Sequence, residues 1–381
     1  LQQGGAIFSG GYDANGNNPN NLPGLYLDAT GLGIFSKIRI KNTSVDDSTV
    51  GIKYSGTWTM GTWGSPSYIN SESGSYSKIV ILPSGEVLCV YRLLNSPFNL
   101  RYVIRSTNGT WSTPKNVTSY KVEYVSLVLL DDGRVLCIYV KYDNKYTLRE
   151  IIREVDGTWG NDRAIMITEN ATYVSAVKID NGKVLCVYIT WTDSVYPYVY
   201  RAREIVRNPN GTWSEPVNAT NLESDAIHLD LVLLPDNSVL CAYRKNSWPY
   251  NLRECVRSAA GIWGSPANIN TINSSMPALS LLPDGTVICA FVDKTSGTLK
   301  IRRQIRSTDG SWGIPVDINA EDSSSPDIGI LPDGKIICVY INAAYQYYGR
   351  EIINSAAYMS AIPIGIKQVA LGAGIIETGS N

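Results

Sequence analysis

The residues with most scope for chemistry surround the only histidine. Asp225-Ala226-Ile227-His228-Leu229-Asp230 sets an imidazole between two carboxylates. Imidazole titrates near neutrality and adjacent charges move its pKa, so His228 and Asp230 are candidates for acid–base work, for contacts to a polar ligand, or for structural hydrogen bonding. Arg92 and Arg244 each follow a Tyr at the end of an apolar run. A guanidinium is a planar fork that grips a carboxylate with two hydrogen bonds, so the pair could hold an acidic sugar or form ion pairs within the fold. Tyr142, Trp191, Tyr198, Trp248, Tyr345 and Tyr347 fall in segments rich in Asn and Tyr. Aromatic faces stack on the apolar side of sugar rings and also fill gaps between strands. Glu72, Glu123, Asp143, Asp193, Glu223, Asp293 and Asp327 leave a carboxylate pair open. A single histidine excludes a multi-histidine metal centre, so neither metal nor cofactor is expected.

The elements that position these residues come from a repeat. Ile81-Leu82-Pro83-Ser84-Gly85-Glu86-Val87-Leu88-Cys89-Val90-Tyr91 returns as Leu129-Leu130-Asp131-Asp132-Gly133-Arg134-Val135-Leu136-Cys137-Ile138-Tyr139, and again around Asn181, Asp236, Asp284 and Asp333. These define repeats 1 to 6. A second motif, Asn108-Gly109-Thr110-Trp111, recurs at Trp159, Trp213, Trp263 and Trp312, with an earlier copy at Trp63; successive Trp lie 48, 48, 54, 50 and 49 residues apart. That period matches one four-stranded propeller blade. Gly or Asn in each turn suits two hairpins per repeat. Strand A runs into the first turn, B is the Val-Leu-Cys-Val-Tyr run, C is of the Leu-Arg-Glu-Ile-Ile-Arg type, and D begins at the Trp.

The expected fold is all-β, a six-bladed β-propeller of four-stranded antiparallel blades closed by the segment around Trp63. A seventh blade built from the flanks is the alternative. Residues 1–50 and 355–381 read as flanks of a propeller spanning 51–354. Both hairpin turns lie on one face, which leaves the B–C and D–A loops, where the candidates sit, for ligand. Six of seven Cys share one strand B position, too far apart between blades to bridge, and read as free core thiols; Cys255 has no disulfide partner either. Arg101, Arg149, Arg203, Arg253, Arg302 and Arg350 share one strand C position and read as architecture, paired with a neighbouring blade's acids.

With 33 Lys+Arg against 34 Asp+Glu the chain has no basic footprint for nucleic acid, and no apolar run long enough for membrane insertion. No signal peptide is visible at Leu1-Gln2-Gln3, and an extracellular or virion-surface location is the expectation.

Leu-Pro-Asp-Gly-X-Val-X-Cys-X-Phe/Tyr followed by Ser307-Thr308-Asp309-Gly310-Ser311-Trp312 resembles the bacterial neuraminidase repeat, or Asp-box, of the sialidase superfamily across residues 53–354. The resemblance implies the propeller and places these boxes at C–D turns. It does not reach the catalytic set: Arg39-Ile40 is followed by Lys41 instead of Pro, and no Asp or Tyr falls in a catalytic motif. The expectation is therefore a carbohydrate-binding propeller recognising cell-surface glycans or polysaccharide, of the kind found as a phage tail or adhesin receptor-binding domain, with homo-oligomerisation through the flanks as a further option. The alternatives are an exo-glycosidase of sialidase-like type or a polysaccharide-degrading enzyme, and a protein-interaction scaffold.

Overall fold

The computed structural model describes residues 60–165, 169–191, 200–219, 221–222, 225–319, 321–343 and 347–355 in full. It also describes the backbone of four short strands, Ile7–Ser9, Leu25–Leu27, Val369–Leu371 and Gly374–Ile376. The chain divides into two compact units, one of Leu1–Ser55 with Ala361–Asn381 and one of Gly56–Ser360. In the first, Ile7–Ser9 pairs with Leu25–Leu27 and Val369–Leu371 with Gly374–Ile376.

The second unit is a propeller-like ring of antiparallel sheets, and repeats 2 to 5 each form a separate four-stranded one. Repeat 4 shows the plan: A is Ala226–Leu233, B Val239–Lys245, C Leu252–Arg257 and D Ala267–Asn268. Asn or Gly supplies the positive φ each hairpin needs, 64° at Asn237 and 88° at Gly261. Both faces of a B strand are covered by neighbouring sheets, so Val239 to Tyr243 are all buried. The strand A segments of the six repeats contact one another in order round a closed cycle, from Ser67–Ile81 to Ser323–Ile330 and back.

Repeats 6 and 1 do not give the two separate four-stranded sheets expected from the sequence. They merge into one seven-stranded sheet through the 15-residue strand Ser67–Ile81. Its start pairs with strand C of repeat 6, Tyr68 opposite Arg350, and its end pairs with strand B of repeat 1, Ile79 opposite Cys89. One strand thus serves as D of the last repeat and A of the first, because only tertiary packing lets it pass between the two without a loop. Gly74 lies at the crossover, where a Cβ would come within 2.8 Å of the Tyr91 ring.

The sheets are riveted by charge. Glu204 on strand C of repeat 3 accepts from Arg257 Nε at 2.9 Å and Trp263 Nε1 at 2.8 Å, both of repeat 4. Glu150 and Glu254 do the same for Arg207 with Trp213 and for Arg306 with Trp312. In the Arg101-to-Arg350 ladder the partners differ from those expected: Arg101 pairs with Glu72 of its own repeat at 2.8 Å and Arg350 with Glu321 of its own at 3.0 Å, not with a neighbouring blade's acids, and Tyr91 and Tyr340 donate to the same carboxylates. All seven cysteines are buried and none forms a disulfide. Cys255 is not isolated, since it lies directly opposite Cys241 across the B–C ladder. Burial pushes the thiols of Cys89, Cys137, Cys186, Cys241, Cys289 and Cys338 well up, which keeps them protonated.

Candidate functional site at the ring axis

Every strand A bulges at one position. Register shifts at Ser75/Lys78, Val122/Val125, Thr172/Ser175, Ile227/Asp230, Ser275/Ala278 and Ser324/Asp327. Five of the six bulges hold a residue at positive φ: Tyr76 at 51°, Tyr173 at 45°, His228 at 48°, Met276 at 53° and Ser325 at 49°. Such backbone is costly for a residue with a side chain and persists where surrounding structure enforces it, often at a functional site. The effect is to turn one residue per repeat toward the axis.

Those residues, with Tyr124 of repeat 2, line a cavity of about 60 Å³. Half the wall is a continuous aromatic band. Ring centroids lie 4.7 Å apart for Tyr76–Tyr124, 4.5 Å for Tyr124–Tyr173 and 4.7 Å for Tyr173–His228, all tilted or edge-on. Met276, Pro277, Ser325 and Pro326 form the opposite wall. The volume admits a few heavy atoms, less than a whole sugar ring, so a ring would rest at the mouth with a substituent inside.

The axis is closed beneath by a buried ion triad. Lys78 Nζ contacts Asp230 at 2.9 Å and Asp327 at 3.1 Å. Asp230 also accepts from Ser175 Oγ at 3.0 Å and Leu279 N at 2.8 Å, and Asp327 from Ile79 N at 2.6 Å. Burial works against the Lys78 ammonium, but the two carboxylates outweigh it and raise its pKa. Burial pushes Asp327 up to about 6, opposed by Lys78 and reinforced by Asp230. His228 is lowered to about 3 by burial, then by the charges of Arg244 and Lys294, and is neutral at ordinary pH.

The predicted residues separate in the structure. His228 lines the cavity, whereas Asp230 lies under its floor and is not a lining residue. Arg92 and Arg244 sit at the margin, opposite Ser75 and Ile227, the residues just before two bulges. Arg92 reaches Glu123 at 3.5 Å. Tyr142 stacks with Tyr146 at 4.8 Å, and Tyr146 meets Trp191 at 5.1 Å, an outer patch with Lys121 4.4 Å over Tyr142. Trp248 is 82% exposed and Tyr347 is 46% exposed. Tyr198 and Tyr345 lie outside the described residues, as do Asp193 and Glu223. Asp327, expected in a loop, stands inside strand A.

Tyr76, Tyr124, Tyr173 and Lys78 were missed. A signal existed: Tyr76, Tyr124, Tyr173, His228, Met276 and Ser325 each stand nine residues before Gly85, Gly133, Gly182, Asn237, Gly285 and Gly334. Counting back from the turn would have aligned them at one position. Among the described residues no group of three or more His, Cys, Asp or Glu side chains could hold a metal ion.

No family model and no curated protein matches the chain. Solved structures do. A protein of unknown function from Dyadobacter fermentans matches with TM-score 0.65 and 14% identity over 79% of this chain and 99% of its own. The NanB sialidase of Streptococcus pneumoniae matches with TM-score 0.60 and 12% identity over 78% and 70%. A fungal alcohol oxidase in complex with copper matches with TM-score 0.52 and 12% identity over 78% and 76%. The fold is a sialidase-like β-propeller. A sialidase and an oxidase on one fold show that the architecture does not assign chemistry.

Proposed function

We propose that this chain is a carbohydrate-binding propeller, a lectin, whose ligand docks at the axis on the B–C and D–A loop face. The observation that carries the reading is the band Tyr76–Tyr124–Tyr173–His228, three phenols and a neutral imidazole around one small cavity, all but Tyr124 held at strained backbone. A band of ring faces and edges with hydroxyls suits the mixed apolar and polar surface of a saccharide. Binding is favoured over turnover because the nearest carboxylates of the floor, Asp230 and Asp327, are tied to Lys78. In this reading the seven-stranded sheet counts as two blades sharing a strand, which makes six. The C–D turns, in which Asp156 Oδ1 accepts from Thr158 N at 2.9 Å and Asp309 Oδ1 from Ser311 N at 2.9 Å, are degenerate Asp-boxes of the bacterial neuraminidase repeat. Arg92, Arg244, Tyr142, Trp191, Trp248 and Tyr347 supply the rim, with Tyr198 and Tyr345 from the same loops. The unit of residues 1–55 with 361–381 suits attachment to a larger assembly, as in a phage tail or adhesin at an extracellular or virion surface.

The test is a glycan array followed by calorimetry on the best hit, with aryl glycosides and sialyl-oligosaccharides assayed for release of sugar. Binding without turnover, weakened about tenfold or more by Tyr173→Ala for loss of one stacking ring in a closed pocket, is the expected result. Turnover abolished by Asp230→Asn would instead establish the glycosidase.

A further inference from the structure

The B–C loops of repeats 1 and 4 are built alike, and one carries an internal carboxylate that the other lacks. Arg92 and Arg244 occupy the same strand B position, each followed six residues later by an aromatic at φ 59°, Phe98 or Tyr250, over which the guanidinium lies at 5.3 Å or 5.0 Å. Asn99 and Asn251, next in sequence, are buried and make matching bonds, to Asn116 and Asn268 at 2.9 Å each. In repeat 1 the arginine is answered by Glu123, the residue before the bulge of the next strand A, with Lys121 on the same carboxylate at 3.3 Å.

At the equivalent place beside repeat 4 stands Ser275, whose hydroxyl is fully buried with no partner. His228 Nδ1 is likewise buried and unpartnered, and Arg244 Nε is too, as Arg92 Nε is in repeat 1. Among the described residues no carboxylate lies within ion-pair distance of Arg244 or of Lys294, and burial, then the charge of Arg244, lower the Lys294 pKa. Buried donors without an acceptor, and half-buried cations without a counter-charge, are costly, so such a cluster has a counterpart elsewhere.

We propose that the seam between repeats 4 and 5 is an oxyanion-binding site, in which a carboxylate, sulfate or phosphate group of a ligand takes the place that Glu123 fills beside repeat 1. Arg244 grips the anion through its fork, Lys294 adds charge, and Ser275 Oγ and His228 Nδ1 donate hydrogen bonds from the floor side. The site stands independently of the saccharide reading, since any group with that chemistry would occupy it, and it adjoins the axial cavity through His228.

His228 is the only histidine, so its imidazole resonances report the site alone. The full chain is titrated with sodium acetate, sulfate and phosphate in separate arms at constant ionic strength, with chloride as the balance, and the imidazole is followed by NMR. The expected result is a saturable shift for at least one oxyanion and a rise in the His228 pKa, because a bound anion offsets the neighbouring cations; the arm that saturates at lowest concentration identifies the group. Arg244→Gln weakens that anion about tenfold or more, and Ser275→Glu, which installs the carboxylate of repeat 1, abolishes the response while raising the imidazole pKa by itself. A response that is linear in all three arms, or one that saturates equally in Arg244→Gln, overturns the proposal. Failure of every glycan to bind while oxyanions still saturate would remove the lectin reading and leave this site in place.

Discussion

His228 shows how one residue can be named from sequence and still be misjudged. Its neighbours in the chain, Asp225 and Asp230, suggested an acid–base group whose pKa the carboxylates control. In the folded ring Asp230 turns away into the triad with Lys78, and the charges that reach the imidazole are Arg244 and Lys294. Burial first, and those charges second, take the pKa downward, to about 3, from the ordinary 6.5. The sign for stability follows: the unfolded chain binds a proton near pH 6.5 that the folded chain refuses until about 3, so the contribution is complete above 6.5 and is lost as pH falls through that window. Asp327 acts oppositely. Its folded pKa of about 6 lies above the ordinary 3.8, so the folded form holds the extra proton and stability falls as pH rises from about 4 to about 6. Urea unfolding between pH 3 and 7 should show a flatter acid limb for His228→Asn than for the parent chain, and a steeper one for Asp327→Asn. Equal slopes in all three would refute the assignment.

At the scale of elements, the Glu–Arg–Trp rivets carry the seams. Removing Glu204 leaves the Arg257 guanidinium and the Trp263 indole facing a buried space with no acceptor, so Glu204→Ala should cost about 3–5 kcal/mol, read as a lowered denaturation midpoint at unchanged m-value. Repeat 1 offers the reverse experiment. Tyr102 stands where Glu150, Glu204 and Glu254 stand in repeats 2 to 4, and its ring meets Trp159 at 5.7 Å, while Arg153 Nε and Trp159 Nε1 are buried without partners. Tyr102→Glu would supply the absent acceptor, and a small rise in Tm, against the fall usual for losing a packed, half-buried aromatic, is expected. Strand patterning made the B strands and hairpins legible, because a continuous apolar run and an Asn-Gly or Asp-Gly turn are local signals. The bulges were not legible as such: a bulge is fixed by how neighbouring inner strands crowd at the axis, and Tyr76, Met276 and Ser325 share no chemistry that announces it.

For the whole molecule, closure is the decisive event. Ser67–Ile81 joins the last repeat to the first through main-chain pairing, with Gly64 N donating to Ile353 O at 2.8 Å and Ser355 N to Thr62 O at 2.9 Å. A fragment of residues 56–360 should fold with one cooperative transition, since it keeps both partners of that pairing, whereas one of residues 74–360 exposes the edge of Tyr348–Asn354 and should aggregate or melt far lower, as scanning calorimetry and light scattering would show. From sequence alone came the period, the four-strand unit, the face that carries the loops and the unusual place of His228, because turns, apolar runs and composition are properties of short stretches. The merging of two sheets, the aromatic band at the axis, the Lys78 triad and the place of Arg244 and Lys294, which meet no carboxylate among the described residues, were decided by the tertiary structure, since each depends on residues from different repeats meeting only when the ring closes.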